Sequence, residues 1–529
     1  MSLTVPGHAA VPSSCSPDPP DRRDVWLPAI QPAFAALRVR MPSDRVASWL
    51  ATTVVTALAG VIRFWGLGYP KGMVFDEVYY ATEAREMLLN GGYENNPGYL
   101  FIVHPPLGKW LIVLGERLFG HTELGWRVPS AVAGTLAVLI LVRLVRRMTR
   151  STLLGGVAGL LLALDGLSVV HSRVALLDVF LQLLVLAGFA CLVLDRDAVR
   201  SRLARMVGAG DVRALGPGLG PRPWRLLGGV LLGAGCGVKW SAVYFLAGFA
   251  VLSLLWDRAA RRSIGVPRPT AGTVLRDAPW ALWAMLVVPL LAYLATWTGW
   301  FLSENAWNRH WAEANPAGWA LSGITTPSRW PFLPDAVRSL VQYHGWILHF
   351  HDELSQAHPY QSMPWAWLVD GRPVSYYYPP QTEVPQTCGA TSCVREILAV
   401  GTPALWWAFL PALVWTAWLV ISRRDWRAGA VWVAFGAGWL SWMINLDRTM
   451  FFFYMLPLVP FLVIAVAMAL GDVLGPHGAG KVRRRIGATA LSGYLALVVM
   501  NFVWLHPILV GNLITFDRWQ SEMWFPSWI

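Results

Sequence analysis

The sequence predicts an all-α polytopic integral membrane protein, on the strength of its composition, its runs of uncharged residues and the placing of its arginines. Of 529 residues, 55% are hydrophobic and only 14% are charged. Near-uncharged runs of about 18–22 residues recur along the chain, each able to cross a hydrocarbon layer roughly 30 Å thick. A soluble fold has no way to hide so many helices that are apolar on every side. The 31 tryptophans suit two interfacial belts, where indole rings prefer the headgroup zone. The net charge of +12 gathers in connectors between apolar runs, which argues against a nucleic-acid partner.

Apolarity alone places about eleven spans. They are Val46–Trp65, Trp126–Val145, Leu153–Val170, Val174–Leu194, Leu226–Val238, Ser241–Trp256, Trp280–Trp297, Ala399–Ile421, Ala428–Ile444, Met450–Leu470 and Ile486–Leu505. The fifth and sixth are short and read equally as one bent hairpin through Gly237-Val238-Lys239-Trp240. Basic residues cluster before the first span and after the second, fourth, sixth, eighth and tenth: Arg38, Arg40 and Arg45; Arg143 to Arg150; Arg196 to Arg225; Arg258 to Arg276; Arg423 to Arg427; Lys481 to Arg485. All fall on one side of the membrane in this arrangement, which sets the N-terminus in the cytoplasm.

Residues 1–45 then form a disordered cytoplasmic tail rich in Pro and Ser, and 46–505 form the transmembrane body. No cleavable signal peptide is visible. Two long loops, 66–125 and 298–398, lie outside the cell with the tail 506–529. Both are rich in Trp, Tyr, Pro and His, as expected of loops that lie on the membrane surface and build a site. In the first, Lys109 and Glu116 share a helix face after Pro105-Pro106, which predicts a short interfacial helix rather than another span. Cys388 and Cys393, in outer loop two, are spaced for a small disulfide in an oxidising exterior, with two free thiols as the other reading.

Candidate chemistry centres on Phe75-Asp76-Glu77-Val78-Tyr79-Tyr80, beside the first span. Adjacent carboxylates at the mouth of a membrane core need a partner or a task. On a helix successive side chains point about 100° apart, so the two serve separate roles. A glycosidase-like pair needs a gap of roughly 5 Å or more across a sugar, which neighbours on one backbone serve poorly. A single base suffices where the leaving group is already good, as in a phosphate-linked sugar. Arg127, Arg173, Lys239 and Arg448 fall at the outer ends of spans, against the charge trend, and together suggest a phosphate pocket. Asp178 lies about one turn from Arg173 and reads as its intramembrane partner. His344, His349, His351, Asp352, Glu353 and His358 do not match a helical metal-ligand spacing, so they read as polar lining of a cleft. His358-Pro359-Tyr360-Gln361-Ser362 and Trp365 are candidates to cradle a sugar or an acceptor peptide. No phosphate-cradling glycine loop is present, which disfavours a nucleotide-sugar donor.

Taken as a set, Phe75-Asp76-Glu77, His104-Pro105-Pro106-Leu107-Gly108-Lys109, Arg127-Val128-Pro129-Ser130, Ser172-Arg173 through Asp178, and Gly237-Val238-Lys239-Trp240 resemble the protein O-mannosyltransferases. His358 to Ser362 with Pro364-Trp365 resembles the bacterial branch, and outer loop two is too short for the β-trefoil domain of eukaryotic members. The resemblance implies a GT-C glycosyltransferase of the plasma membrane with an extracytoplasmic active site. Its donor would be a polyprenyl-phosphate-β-mannose and its acceptors Ser or Thr of exported proteins, with the Sec translocon a candidate partner and no other cofactor demanded. It implies Asp76 as base, Glu77 as a site-organising group and Arg127 as an essential site contact. Arg173, Lys239, Arg448, His104 and Lys109 are then the donor-side candidates, and Tyr80, His358, Tyr360, Gln361 and Trp365 those of the acceptor or sugar cleft. The nearest alternative is a GT-C enzyme that modifies a glycolipid or cell-wall glycan. A lipid-linked-sugar transporter or flippase is disfavoured by the odd span count and by charges grouped at one face instead of the midplane.

Overall fold

Asp165 shows how one residue can break a predicted span. Its carboxylate accepts from Ser168 N (2.9 Å) and starts a new helix, so the expected run Leu153–Val170 is two helices, Thr152–Ala163 and Gly166–His171. The computed structural model describes Leu37 and residues 41–96, 103–207, 214–315, 332–476 and 478–529. Most of the expected tail, with Arg38 and Arg40, and part of outer loop two lie outside the described residues.

Among the described residues, fifteen helices make up most of the body and its loops, with a few shorter ones besides: α1 (Arg45–Phe64), α2 (Glu77–Leu89), α3 (Leu107–Phe119), α4 (Glu123–Thr149), α5 (Thr152–Ala163), α6 (Gly166–His171), α7 (Asp178–Val207), α8 (Pro223–Cys236), α9 (Ala242–Ser263), α10 (Pro269–Ala295), α11 (Asp335–Glu353), α12 (Pro403–Arg423), α13 (Trp426–Trp439), α14 (Val459–Leu474) and α15 (Lys481–Val510). Among the described residues, eight helices are long and apolar enough to cross a membrane, fewer than the runs read from sequence. The shortfall has local causes. Helix α8 stops after 14 residues, at the turn 237–241, and α13 gives way to a 3-10 turn at Leu440–Met443. The third run is divided at Asp165, as above.

Two membrane-length helices make the centre. The apolar stretch of α7 is 72% buried and that of Phe452–Leu474 is 83% buried, whereas α1 and α10 are 17% and 22% buried and turn apolar side chains outward. In lipid that outward surface costs nothing, so helix association relies on close packing instead. Gly229, Gly233 and Gly237 provide it on one side: a Cβ on Gly229 would meet Ala284 O at 1.9 Å, and one on Gly233 would meet Pro289 O at 2.3 Å. Helix α10 contains Pro279 and Pro289, each at the start of an α-segment after a π-turn, Thr273–Asp277 and Trp283–Val287. The wider turn accommodates the ring and the missing N–H.

The outer loops are not wholly helical. Val374–Tyr377 pairs antiparallel with Ile397–Ala399, and Cys393–Val394 with Ile514–Thr515. The residues after α15 are thus tied to outer loop two by a backbone ladder. Cys388 and Cys393 form a disulfide beside it. Lys109 and Glu116 do lie on one short helix, α3, but each has another partner: Lys109 Nζ meets Glu83 at 2.7 Å, and Glu116 meets His121 at 3.0 Å.

Gly233→Ala forces α8 and α10 apart and lowers stability by about 1–3 kcal/mol. Gly429→Ala, inside α13 with no atom within 4 Å of the added methyl, leaves the unfolding midpoint unchanged or slightly raised in the same detergent-solubilised thermal assay.

Candidate active site

Asp76 and Glu77 part company at the start of α2. Phe75 has φ +51, a left-handed conformation that a bulky residue adopts only when its surroundings hold it. Its ring stacks on Tyr376 (4.3 Å between centroids, 8° between planes) and meets Phe453 edge-on at 5.9 Å. Tyr376 is fixed in turn by a 2.9 Å hydrogen bond with His171 Nε2. After this turn Asp76 lines a cavity while Glu77 enters the protein interior.

Glu77 is fully enclosed and its carboxylate is saturated. It accepts from Arg127 Nε and Nη2 (2.8 Å each), Val74 N (2.8 Å) and Ala175 N (2.9 Å). Arg127 is equally committed: its remaining N–H groups go to the carbonyls of Pro70 (2.8 Å), Gly72 (3.0 Å) and Leu67 (3.4 Å). A guanidinium has five N–H donors, and all are used, so none is left for the donor phosphate expected of it. Arg173 is occupied in the same way. It donates to the carbonyls of Ile62, Arg63, Trp65 and Gly66 at 2.7–3.2 Å, where its charge also suits the C-terminal end of α1. Asp178 is not its partner; Lys239 Nζ takes both Asp178 oxygens at 2.9 and 3.0 Å. The turn 237–241, which sequence left ambiguous, brings the lysine to that carboxylate.

Asp76, Tyr80, His104, Asp178, Lys239, His358 and Arg448 line one cavity of 690 Å³, together with His351, Phe453 and Tyr454. A second cavity, of 550 Å³, lies beside it and is walled largely by Leu246, Leu286, Leu290, Leu348 and Tyr293. His104, Lys239, His351, Arg448 and Tyr454 line both. Of the other candidates, Lys109 lines a small separate pocket with Glu83 and Glu94. Gln361 accepts from His358 N (3.2 Å) and so helps place that histidine. Tyr360 lies under the Arg372 guanidinium at 5.2 Å, and Trp365 is 56% exposed; neither is in the wall of either cavity.

Burial raises the Asp76 pKa to about 6, against a pull downward from Lys239 and with a further push from Asp178. Burial and the neighbouring cations hold His104 well below its ordinary value. His351 is lowered to about 4 by burial and by Arg448, so it is neutral near pH 7. Its Nε2–H donates to Val103 O (2.9 Å), which leaves Nδ1 to accept from Arg448 Nη2 (3.1 Å). Arg448 forms no ion pair among the described residues, and its guanidinium lies 5.7 Å from the Trp442 ring centroid and 5.8 Å from that of Tyr454. Sequence reading placed Phe453 and Tyr454 inside a span; the aromatic run Phe451 to Tyr454 immediately after Arg448 was the available signal. No group of three or more His, Cys, Asp or Glu gathers as a metal site among the described residues.

Comparison with known proteins places the chain in a family. Residues 53–126 and 115–302 match the model of the dolichyl-phosphate-mannose-protein mannosyltransferases, and 336–528 match that of the C-terminal four-helix membrane region of protein-O-mannosyltransferase. The polyprenol-phosphate-mannose–protein mannosyltransferase of Mycobacterium tuberculosis is 45% identical over 92% of this chain and 93% of its own. That of Mycolicibacterium smegmatis is 44% identical over 92% and 94%. The Saccharomyces cerevisiae Pmt1–Pmt2 complex bound to the sugar donor shares the fold, with a TM-score of 0.70 at 16% identity over 94% of each chain. With these family matches and relatives of this similarity over nearly the whole length, the chain belongs to the protein O-mannosyltransferase family of membrane glycosyltransferases.

Proposed function

We propose that this protein transfers mannose from a polyprenyl-phosphate-β-mannose to Ser or Thr hydroxyls of exported proteins, at the extracytoplasmic face of the plasma membrane. The observation that carries the reading is the shared wall of the two cavities. A polyprenyl chain suits the apolar cavity, the mannose and acceptor suit the polar one, and the phosphate falls between them beside Arg448, Lys239 and His104.

The reaction is one displacement at the anomeric carbon. The acceptor oxygen attacks C1, the C1–O bond to phosphate breaks, and its electron pair leaves with the polyprenyl phosphate. The hydroxyl proton passes to Asp76 as the oxygen becomes acidic, and the β-linked donor gives an α-linked product. No general acid is required, because phosphate is a good leaving group and Arg448 can balance its charge. A carboxylate raised toward 6 is a better base than an ordinary aspartate while still ionised at neutral pH. Glu77 and Arg127 organise the site without touching substrate: they hold the turn that delivers Asp76.

Asp76→Asn abolishes transfer from radiolabelled lipid-linked mannose in membranes. Because its folded pKa is raised, Asp76 favours the folded state while protonated and loses that contribution as pH rises from about 4 through 6. The amide therefore leaves the unfolding midpoint at pH 7 unchanged or higher, and a lower midpoint would point to a structural role.

In wild type, kcat/KM falls about tenfold per unit below a pH near 6. Asp178→Asn removes a like charge and releases Lys239, so it moves this acid limb to lower pH. An unmoved limb would assign the titration to another group.

Arg448→Ala raises the donor KM and lowers kcat, together costing on the order of a hundredfold in kcat/KM. His351→Ala reproduces part of that loss in wild type and adds almost nothing in the Arg448→Ala background, measured as a double-mutant cycle. Full additivity would show that His351 does not act through Arg448.

A further inference from the structure

Helix α7 connects the active-site cavity to a second charged cavity at its far end. From Asp178 to Arg196 is eighteen residues, about 27 Å along the axis. That is close to the thickness of the hydrocarbon layer, so Arg196 lies at the opposite membrane face. There a cavity of 410 Å³ is lined by Arg150, Arg196, Arg200, Arg423, Arg424 and Arg427, with Asp197 and Asp425 the acidic residues in its wall. A positive-inside bias accounts for arginines on this face, but not for three separate connectors folding theirs around one space.

Nor are these arginines neutralised like their neighbours. Nearby, Arg222 and Arg225 are buried against Asp195 and Asp257, and Arg261 against Asp277 at 2.7 Å. In the cavity, Asp197 is shared among Arg147, Arg150 and Arg196, and Asp425 is taken by Arg427. Arg200, Arg423 and Arg424 form no ion pair among the described residues. The guanidinium of Arg196 lies 3.7 Å from the Trp426 ring centroid, and its buried Nε has no hydrogen-bond partner.

An apolar space adjoins this one. A cavity of 620 Å³ shares Thr149, Arg423 and Arg427 with it and continues along Leu154, Leu419, Met468 and Leu474. Arg423, without an ion pair among the described residues, lines both spaces; Arg200 and Arg424 line the charged one, and Asp472 is the acidic residue in the wall of the groove. Guanidinium groups beside a largely apolar groove match an amphiphile with an anionic phosphate head and hydrocarbon tails. We propose that this cavity binds the headgroup of an anionic phospholipid from the leaflet opposite the active site, with an acyl chain in the adjoining groove.

The test uses the full chain in nanodiscs of phosphatidylcholine with phosphatidylglycerol added, followed by native mass spectrometry of retained lipid. Wild type retains phosphatidylglycerol preferentially. Arg200→Gln with Arg424→Gln lowers that preference on the order of tenfold. Arg262→Gln with Arg268→Gln, equal in charge removed and exposed at the same face, leaves it unchanged. Arg424→Gln alone, an exposed change just beyond α12, shifts the preference in the same direction and guards against misfolding of the double variant. Equal retention by wild type and the Arg200/Arg424 variants would overturn the proposal. So would an equal loss in the Arg262/Arg268 control, which would mean diffuse surface charge. Displacement of the lipid by soluble glycerol phosphate at matched concentration would overturn the membrane source in favour of a free phosphate ligand.

Discussion

The Glu77–Arg127 ion pair holds the rest of the site in register. It is buried on both sides, bidentate, and extended by backbone contacts from 67 to 74 and from Ala175. A buried pair of this kind contributes little net stability compared with apolar packing, but losing one partner strands a charge at a cost of about 3–5 kcal/mol. Its effect is therefore specificity: the loop after α1 has one arrangement in which Glu77 and Arg127 are both fully matched. That arrangement turns the chain through a left-handed Phe75 and leaves Asp76 in the cavity. The strain at Phe75, about 1–3 kcal/mol, is offset by its stacking on Tyr376 and its edge contact with Phe453.

The cavity has an asymmetric charge pattern that follows from which cations are already paired. Lys239 is matched to Asp178, and its field keeps Asp76 from rising further. Arg448 is oriented by a neutral histidine instead of a carboxylate. An arginine held this way retains its full positive charge for a ligand, whereas one held by an aspartate would not. A carboxylate without an ion pair and a cation without one, among the described residues, share the same enclosed space, an arrangement that suits the displacement proposed above. Arg127 and Arg173, at comparable positions relative to their spans, are instead occupied, Arg127 by Glu77 and three carbonyls and Arg173 by four carbonyls.

Sequence reading singles out Asp76, Lys239 and Arg448 as charged residues near the ends of apolar runs, a costly place to put one, and His104 through the resemblance of its motif. That criterion does not separate cations that hold the backbone from cations that face a ligand. Arg127 and Arg448 look alike by position; they differ in how many carbonyls the neighbouring loop presents, which depends on the turn 67–74. Asp178 was assigned to Arg173 because five residues separate them, yet the partner is Lys239, sixty-one residues away. Tyr360, Gln361 and Trp365 sit near His358 in the chain, but the segment tied by backbone hydrogen bonds to Thr449 and Met450 brings Leu354, Gln356 and His358 to the cavity wall and not these three.

What sequence determined by itself was the membrane body and the acidic motif beside its first span, because the cost of burying charge and exposing hydrocarbon is local and can be read residue by residue. The tertiary structure decided where helices break, which ion pairs form and which arginines remain free. Those outcomes depend on the carbonyls, carboxylates and glycine surfaces that distant segments supply, and the linear order of the chain does not record them.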